Sequence, residues 1–175
     1  MAIGLALTGE AVLTPAIMIL LILTNDFLAM SITTDRTTPA PSPSVWRTRD
    51  ITVAATALAA CKLVFSTAVL AIGKFRLGFG PHELQTVAFV TLAFGNQAIL
   101  YVLRERRPFW SSRPSSWLLA SSLAGTALVA VLAITGILIA PLNWRLAVSI
   151  LAASAGFALL LDRIKLPILA LLKIE

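Results

Sequence analysis

Apolar residues run in long stretches along this chain, set apart by short polar segments, and the pattern predicts helices of membrane-crossing length. The first full stretch extends from about Thr14 to Ile32; four more follow at about Thr52–Gly73, Leu84–Leu103, Trp117–Ile139 and Arg145–Leu161. A hydrocarbon layer about 30 Å thick takes roughly 20 mostly apolar residues of helix, so each stretch suffices for one crossing. Ahead of them, Met1–Thr8 (MAIGLALT) is apolar but too short to span, and Gly9-Glu10 breaks the pattern. The predicted fold class is all-α: one transmembrane domain over 1–175, a polytopic helix bundle of about five spans (14–32, 52–73, 84–103, 117–139, 145–161) plus an N-terminal half-helix stub over 1–9.

The polar segments carry the punctuation. Residues 33–50 (TTDRTTPAPSPSVWRTRD) alternate Pro39, Pro41 and Pro43 with small polar residues, which disfavours helix and favours extended backbone. Residues 104–116 hold an arginine cluster with Phe109 and Trp110, the composition of a membrane interface where guanidinium groups meet anionic lipid and indoles meet headgroups. Sorted by the spans, ten basic residues (Arg36, Arg47, Arg49, Arg104, Arg106, Arg107, Arg113, Arg163, Lys165, Lys173) fall on one side and three (Lys74, Arg76, Arg145) on the other, with Lys62 inside a span. The positive-inside rule then predicts cytoplasmic loops at 33–50 and 104–116 and a cytoplasmic carboxyl terminus, with the amino terminus starting outside.

Composition agrees with lipid as the solvent: 58% of the 175 residues are hydrophobic, 13% are charged, and the mean hydropathy is +0.92. The net charge of +6 does not indicate nucleic acid, because the arginines lie between apolar runs and not along an exposed helix face or among stacking aromatics. Cys61 is the single cysteine, which leaves no intrachain disulfide and no cysteine-rich metal site. The first residues, Met1–Leu13, contain no lysine or arginine, unlike the positively charged start of a secretory signal.

Ionisable side chains inside a span cost about 2.5–3.5 kcal/mol at mid-helix on insertion scales and are functional candidates for that reason. Asp26 fits best: eleven residues beyond Pro15, it lies roughly 16 Å along its helix at 1.5 Å per residue, too deep for so short a side chain to reach the headgroups. Thr24 and Asn25 place further oxygens in the same turn, so Asp26 and Asn25 are the expected ion-binding residues, with Thr24 as cavity lining; the alternative is an aspartate that only hydrogen-bonds to another span, or one left among the headgroups by an earlier helix end. Lys62 is expected either to snorkel along its stem or to pair with an acid such as Asp26. Gln97, beside Asn96 and Gly95, is expected either to line a polar cavity or to join helices. His82-Glu83 is not completed to a zinc-binding His-Glu-x-x-His pattern, and no metal site is expected. No phosphate-binding glycine loop, nucleophile–base arrangement or pair of carboxylates occurs, so no catalytic residue is assigned. Small residues at Ala152, Gly156 and Gly125 are expected to allow close helix packing.

The stretch LTPAIMILLILTNDFLAMSITTDRTTPAPSPSVW resembles the sixth membrane helix and following loop of P-type ATPases, above all plasma-membrane proton pumps. Its matching features are Pro15, Asn25-Asp26, Met30-Ser31-Ile32, Asp35-Arg36, Pro41-Ser42-Pro43 and Trp46. Likewise FGNQAILYVLRERRPFWSSRPS is similar to the family's eighth helix and inner loop, and TGILIAPLNW to the turn joining its ninth and tenth helices. The sequence Asp26-Phe27-Leu28-Ala29-Met30 departs from the Asp-Gly-x-Pro-Ala continuation usual in calcium and sodium pumps, which favours the proton-pump branch.

The resemblance implies the carboxyl-terminal membrane part of an ATP-driven cation pump in the plasma membrane, with Asp26 at the position of the proton carrier. It implies as partners the lipid bilayer, a proton or other cation, and a further part of the pump holding the phosphorylation and nucleotide-binding domains. ATP and Mg2+ are implied for that complete pump, and no cofactor for this chain. The family's Asp-Lys-Thr-Gly-Thr motif is not in the sequence, so this chain alone is not expected to hydrolyse ATP. Two alternatives stand beside this reading: a calcium- or magnesium-transporting pump of the same kind, with a hard cation held by Asp26 and neighbouring oxygens, and an independent or nonfunctional small membrane protein.

Overall fold

The structure, a computed structural model, describes residues 4, 5, 9, 11–33, 48–104 and 114–171. Five helices order them: α1 (Pro15–Ile32), α2 (Thr48–Phe75), α3 (Pro81–Arg104), α4 (Ser116–Thr135) and α5 (Trp144–Leu171). All five are long and apolar enough to cross a membrane, and no strand occurs among the described residues. The predicted all-α bundle of five spans is the observed fold.

Local chemistry sets the helix ends. Thr14 caps α1, its Oγ1 accepting from the Ile17 N–H at 3.4 Å, and Pro15 fills the first helical position, where a missing N–H breaks no bond. Ser115 caps α4 in the same way through the Leu118 N–H at 3.2 Å. The carboxyl end of α4 is made by Gly136, which adopts φ +73° while its N–H donates to the Leu132 carbonyl. A Cβ there would also stand 3.1 Å from Pro141, so both backbone and space call for glycine.

Helix α3 lies at the centre and packs against all four others. In its membrane-length window 67% of residues are buried, against 28% or less in every other helix. Its sequence suits the position: Val87, Ala88, Phe89, Val90, Ala93, Phe94 and Ala98 are buried together with Thr86, Thr91 and Gln97, so both apolar and polar side chains of this helix are enclosed by its neighbours. Phe89, Val90, Ala93 and Phe94 meet Ile17 of α1, Val129 and Ala133 of α4, and Ile150 of α5 in one core. Nearer the Arg104 end, Val102 packs with Leu58 of α2 and with Phe157 and Leu161 of α5, and the Phe65 and Phe157 rings stack at 4.3 Å. Phe27, Met30, Val64, Leu123 and Leu160 are among the large apolar side chains left exposed. In lipid this needs no remedy, since hydrocarbon tails solvate them and contact between helices rests on packing and hydrogen bonds.

Helix extents differ from the sequence expectation in consistent ways. Helix α2 begins at Thr48, inside the expected 33–50 loop, α3 begins at Pro81, and α5 runs to Leu171 in place of ending at Leu161. Hydropathy marks where the hydrocarbon stops, while backbone hydrogen bonding carries a helix on through the interface. Helix α4 stops at Thr135, short of the expected Ile139, because the left-handed Gly136 and Leu138 (φ +68°) turn the chain. That turn is tied back by the Leu142 N–H to the Ala133 carbonyl at 2.7 Å, and by Thr86 Oγ1 to the Ala140 carbonyl at 2.7 Å. Of the expected stub, Gly4 and Leu5 are helical and the Gly9 N–H donates to the Leu5 carbonyl at 2.7 Å; its other residues, like most of the 33–50 and 104–116 loops, lie outside the described residues. At Gly156 an added Cβ would meet nothing within 4 Å, so the close packing expected there is absent.

Candidate functional site

Asp26 and Asn25 stand exposed on α1 and line an open groove of about 580 Å³ between α1 and α3. Ala29 and Ile32 continue the α1 wall, and Asn96, Ile99, Leu103 and Arg104 form the facing wall on α3. The groove therefore gathers one carboxylate, two carboxamides and one guanidinium in an otherwise apolar cleft. Asp26 and Asn25 share it because successive residues lie 100° apart on a helix, within a single broad face. Thr24 points away from it: it is buried, and its Oγ1 donates to the Leu20 carbonyl at 2.8 Å.

Lys62 reaches across from α2 and its Nζ donates to Asn96 Oδ1. The partner of this lysine is thus an amide on α3, not the Asp26 carboxylate considered from sequence. Gln97, the next residue on α3, is buried and turned toward α4, where its Oε1 accepts from Thr126 Oγ1 at 2.7 Å. Its Nε2 has no hydrogen-bond partner and lies 3.2 Å from where a Cβ on Gly125 would be, with Thr24 at 3.6 Å on the same side. Gly125 is therefore a true close approach: its lack of a side chain lets α1, α3 and α4 converge on the Gln97 amide. Of the sequence candidates, the fold sets Asp26 and Asn25 in one groove and Thr24 and Gln97 in a neighbouring contact behind it. Lys62 joins the groove through Asn96.

The chain is similar to a curated protein over nearly its whole length. It is 31% identical over 164 residues, 93% of this chain, to a Methanocaldococcus jannaschii protein that bears the name "Putative cation-transporting ATPase". It spans only 20% of that relative's length. No family model matches the sequence.

Two features at and near the groove go beyond the sequence expectation. Asp162 and Lys165 form an ion pair at 2.8 Å with side chains 0% and 3% exposed, and Lys165 Nζ also donates to the Val102 carbonyl at 2.9 Å. Beyond the apolar run, where the sequence pattern places Lys165 outside the span, it is enclosed, because α5 continues past that run and turns this residue onto α3. Opposite charges three residues apart at the end of an apolar run were the available signal. Val102 holds one of the last four carbonyls of α3, which have no partner within their own helix, so Lys165 caps the helix end that carries Arg104. Arg104 is the second feature. It was read with the interfacial arginines, yet it is half-buried and lines the Asp26 groove.

Proposed function

We propose that this chain is the carboxyl-terminal membrane part of an ATP-driven cation pump of the P-type kind, and that Asp26, assisted by Asn25, binds the transported ion, a proton. The observation that carries this reading is the groove: a mid-helix carboxylate, expensive to keep in lipid, stands beside polar groups from a second helix in a cleft large enough for water and an ion. The similarity to a relative named for cation transport supports it. One carboxylate with a guanidinium in the same cleft suits a proton better than a divalent cation, which gathers several anionic oxygens.

In this reading the pump lies in the plasma membrane with the Arg104 ends of the helices and the carboxyl terminus in the cytoplasm. ATP and Mg2+ are handled by the phosphorylation and nucleotide-binding domains of the complete pump. Asp26 takes up its ion from the groove, and movements driven by those domains change which side the groove serves.

A chimera tests the proposal. The matching segment of the Methanocaldococcus jannaschii relative is replaced by this chain, and inside-out vesicles are given ATP and Mg2+. Acidification of the lumen without uptake of labelled calcium is the expected result. ATP-dependent calcium uptake would move the assignment to a divalent pump, and a chimera that folds but transports nothing would remove it.

A further inference from the structure

A second cavity, of about 470 Å³, lies between α2, α3 and the segment preceding α1. Its polar lining is Ser66, Thr67 and Lys62 from α2 and Thr91 from α3, with Leu70 and Ala88 among the apolar walls. Thr91 is 1% exposed, and both its Oγ1 and the Ser66 Oγ are buried without a hydrogen-bond partner. Buried hydroxyl groups are ordinarily satisfied, and a cavity many times the volume of one water, mostly apolar but with these hydroxyls in its wall, has room for a solvent partner.

The two cavities lie on opposite sides of one hydrogen bond. On α3, Ala88 and Thr91 of this chamber are toward Pro81, whereas Ile99, Leu103 and Arg104 of the Asp26 groove are toward the other helix end. Between them on the same helix is Asn96, which lines the groove and accepts from Lys62, which lines the chamber. At 1.5 Å per residue the distance from Thr91 to Arg104 is roughly 20 Å, about two-thirds of a 30 Å hydrocarbon layer. Two cavities that each carry polar side chains are thus spread over most of that thickness, with the Lys62–Asn96 hydrogen bond between residues that line one and the other.

Resting on the pump reading above, we propose that the Ser66–Thr91 chamber is a hydrated half-path for the transported cation, leading to the Pro81 end of the bundle. The Asp26 groove is the other half-path, and the Lys62–Asn96 hydrogen bond is the barrier that separates them. With the bond made, the lysine side chain fills the waist and its ammonium repels a free cation. Parting of α2 from α3 opens the waist to the chamber while the groove is shut at its Arg104 end, so that the two ends are not open together.

Thiol accessibility in sealed vesicles tests this without requiring transport, so its outcome is independent of the chimera's. The full chain, with Cys61→Ala to remove its single thiol, is reconstituted carrying Thr91→Cys, Ser66→Cys or Ala29→Cys. A membrane-impermeant cationic methanethiosulfonate is then added to one face at a time. Thr91→Cys and Ser66→Cys should react from the Pro81 face only, and Ala29→Cys from the Arg104 face only. Adding Lys62→Met or Asn96→Leu should raise the rate from the opposite face at least tenfold in variants that retain their elution volume. Thr91→Cys and Ser66→Cys both unreactive from either face would show a dry or filled void and overturn the proposal. Equal reaction from both faces with Lys62 and Asn96 intact would overturn the barrier.

Discussion

Neutralising Asp162 should be among the most damaging single changes in the bundle. The carboxylate is fully enclosed and stands 2.8 Å from the Lys165 ammonium, which also donates to the Val102 carbonyl at 2.9 Å. Asp162→Asn keeps the shape but removes the carboxylate charge from beside the buried ammonium. Breaking a buried pair in this way costs about 3–5 kcal/mol. The consequence reaches α3, since Lys165 caps the helix end that bears Arg104 and faces Asp26. Replacing both partners, Asp162→Leu with Lys165→Met, removes the desolvation of two charges and should be neutral or stabilising by about 1–4 kcal/mol. Reversible unfolding in bicelles, followed by fluorescence of Trp117 and Trp144, measures each variant, and the double-mutant cycle gives the coupling. An Asp162→Asn loss below about 1 kcal/mol, or a double variant as unstable as the single one, would refute the enclosed pair as the tie between α3 and α5.

Three further outcomes follow from single contacts. Gly136→Ala should destabilise by about 1–2 kcal/mol, because the residue is left-handed and a Cβ would press on Pro141 at 3.1 Å; thermal denaturation in detergent checks it. Thr126→Val should cost about 0.6–1.7 kcal/mol, the range for interhelical hydrogen bonds in lipid, by removing the donor to Gln97 Oε1, whereas Thr135→Val, whose hydroxyl serves only its own helix at Val131, should cost less in the same assay. Phe157→Ala should lose about 3–5 kcal/mol, since its ring stacks on Phe65 and fills the core beside Val102; a loss under about 1 kcal/mol would show that ring to be peripheral.

The spans were legible because lipid leaves little choice. A run of about 20 apolar residues with its backbone satisfied internally can only be a helix, and Thr52–Gly73 or Leu84–Leu103 reads that way without help from tertiary context. Asp26 stands out in the sequence for the converse reason, as an acid where acids are expensive. Pairing between helices was not legible. That Lys62 meets Asn96 rather than Asp26, or that Gln97 meets Thr126, depends on how helices are rotated about their axes, and α1 and α4, apolar almost all round, give no amphipathic stripe from which their rotation can be read. Asp162 and Lys165 were hidden by a related cause: charges at the end of an apolar run look like the start of a tail until the helix is seen to continue along a neighbour. The early stop of α4 at Gly136 turned on one backbone angle inside a segment, TGILIAPLNW, whose hydropathy does not fall until Pro141.

The central claim is that Asp26 holds the transported ion in the groove between α1 and α3. Its most direct measurement is ATP-driven transport by the chimeric pump carrying Asp26→Asn, compared at equal membrane abundance with the unsubstituted chimera. The account predicts at least a hundredfold loss of transport, about 2.7 kcal/mol or more, with folding intact, because an amide neither takes up nor releases a proton at that position. Transport undiminished by Asp26→Asn would contradict it.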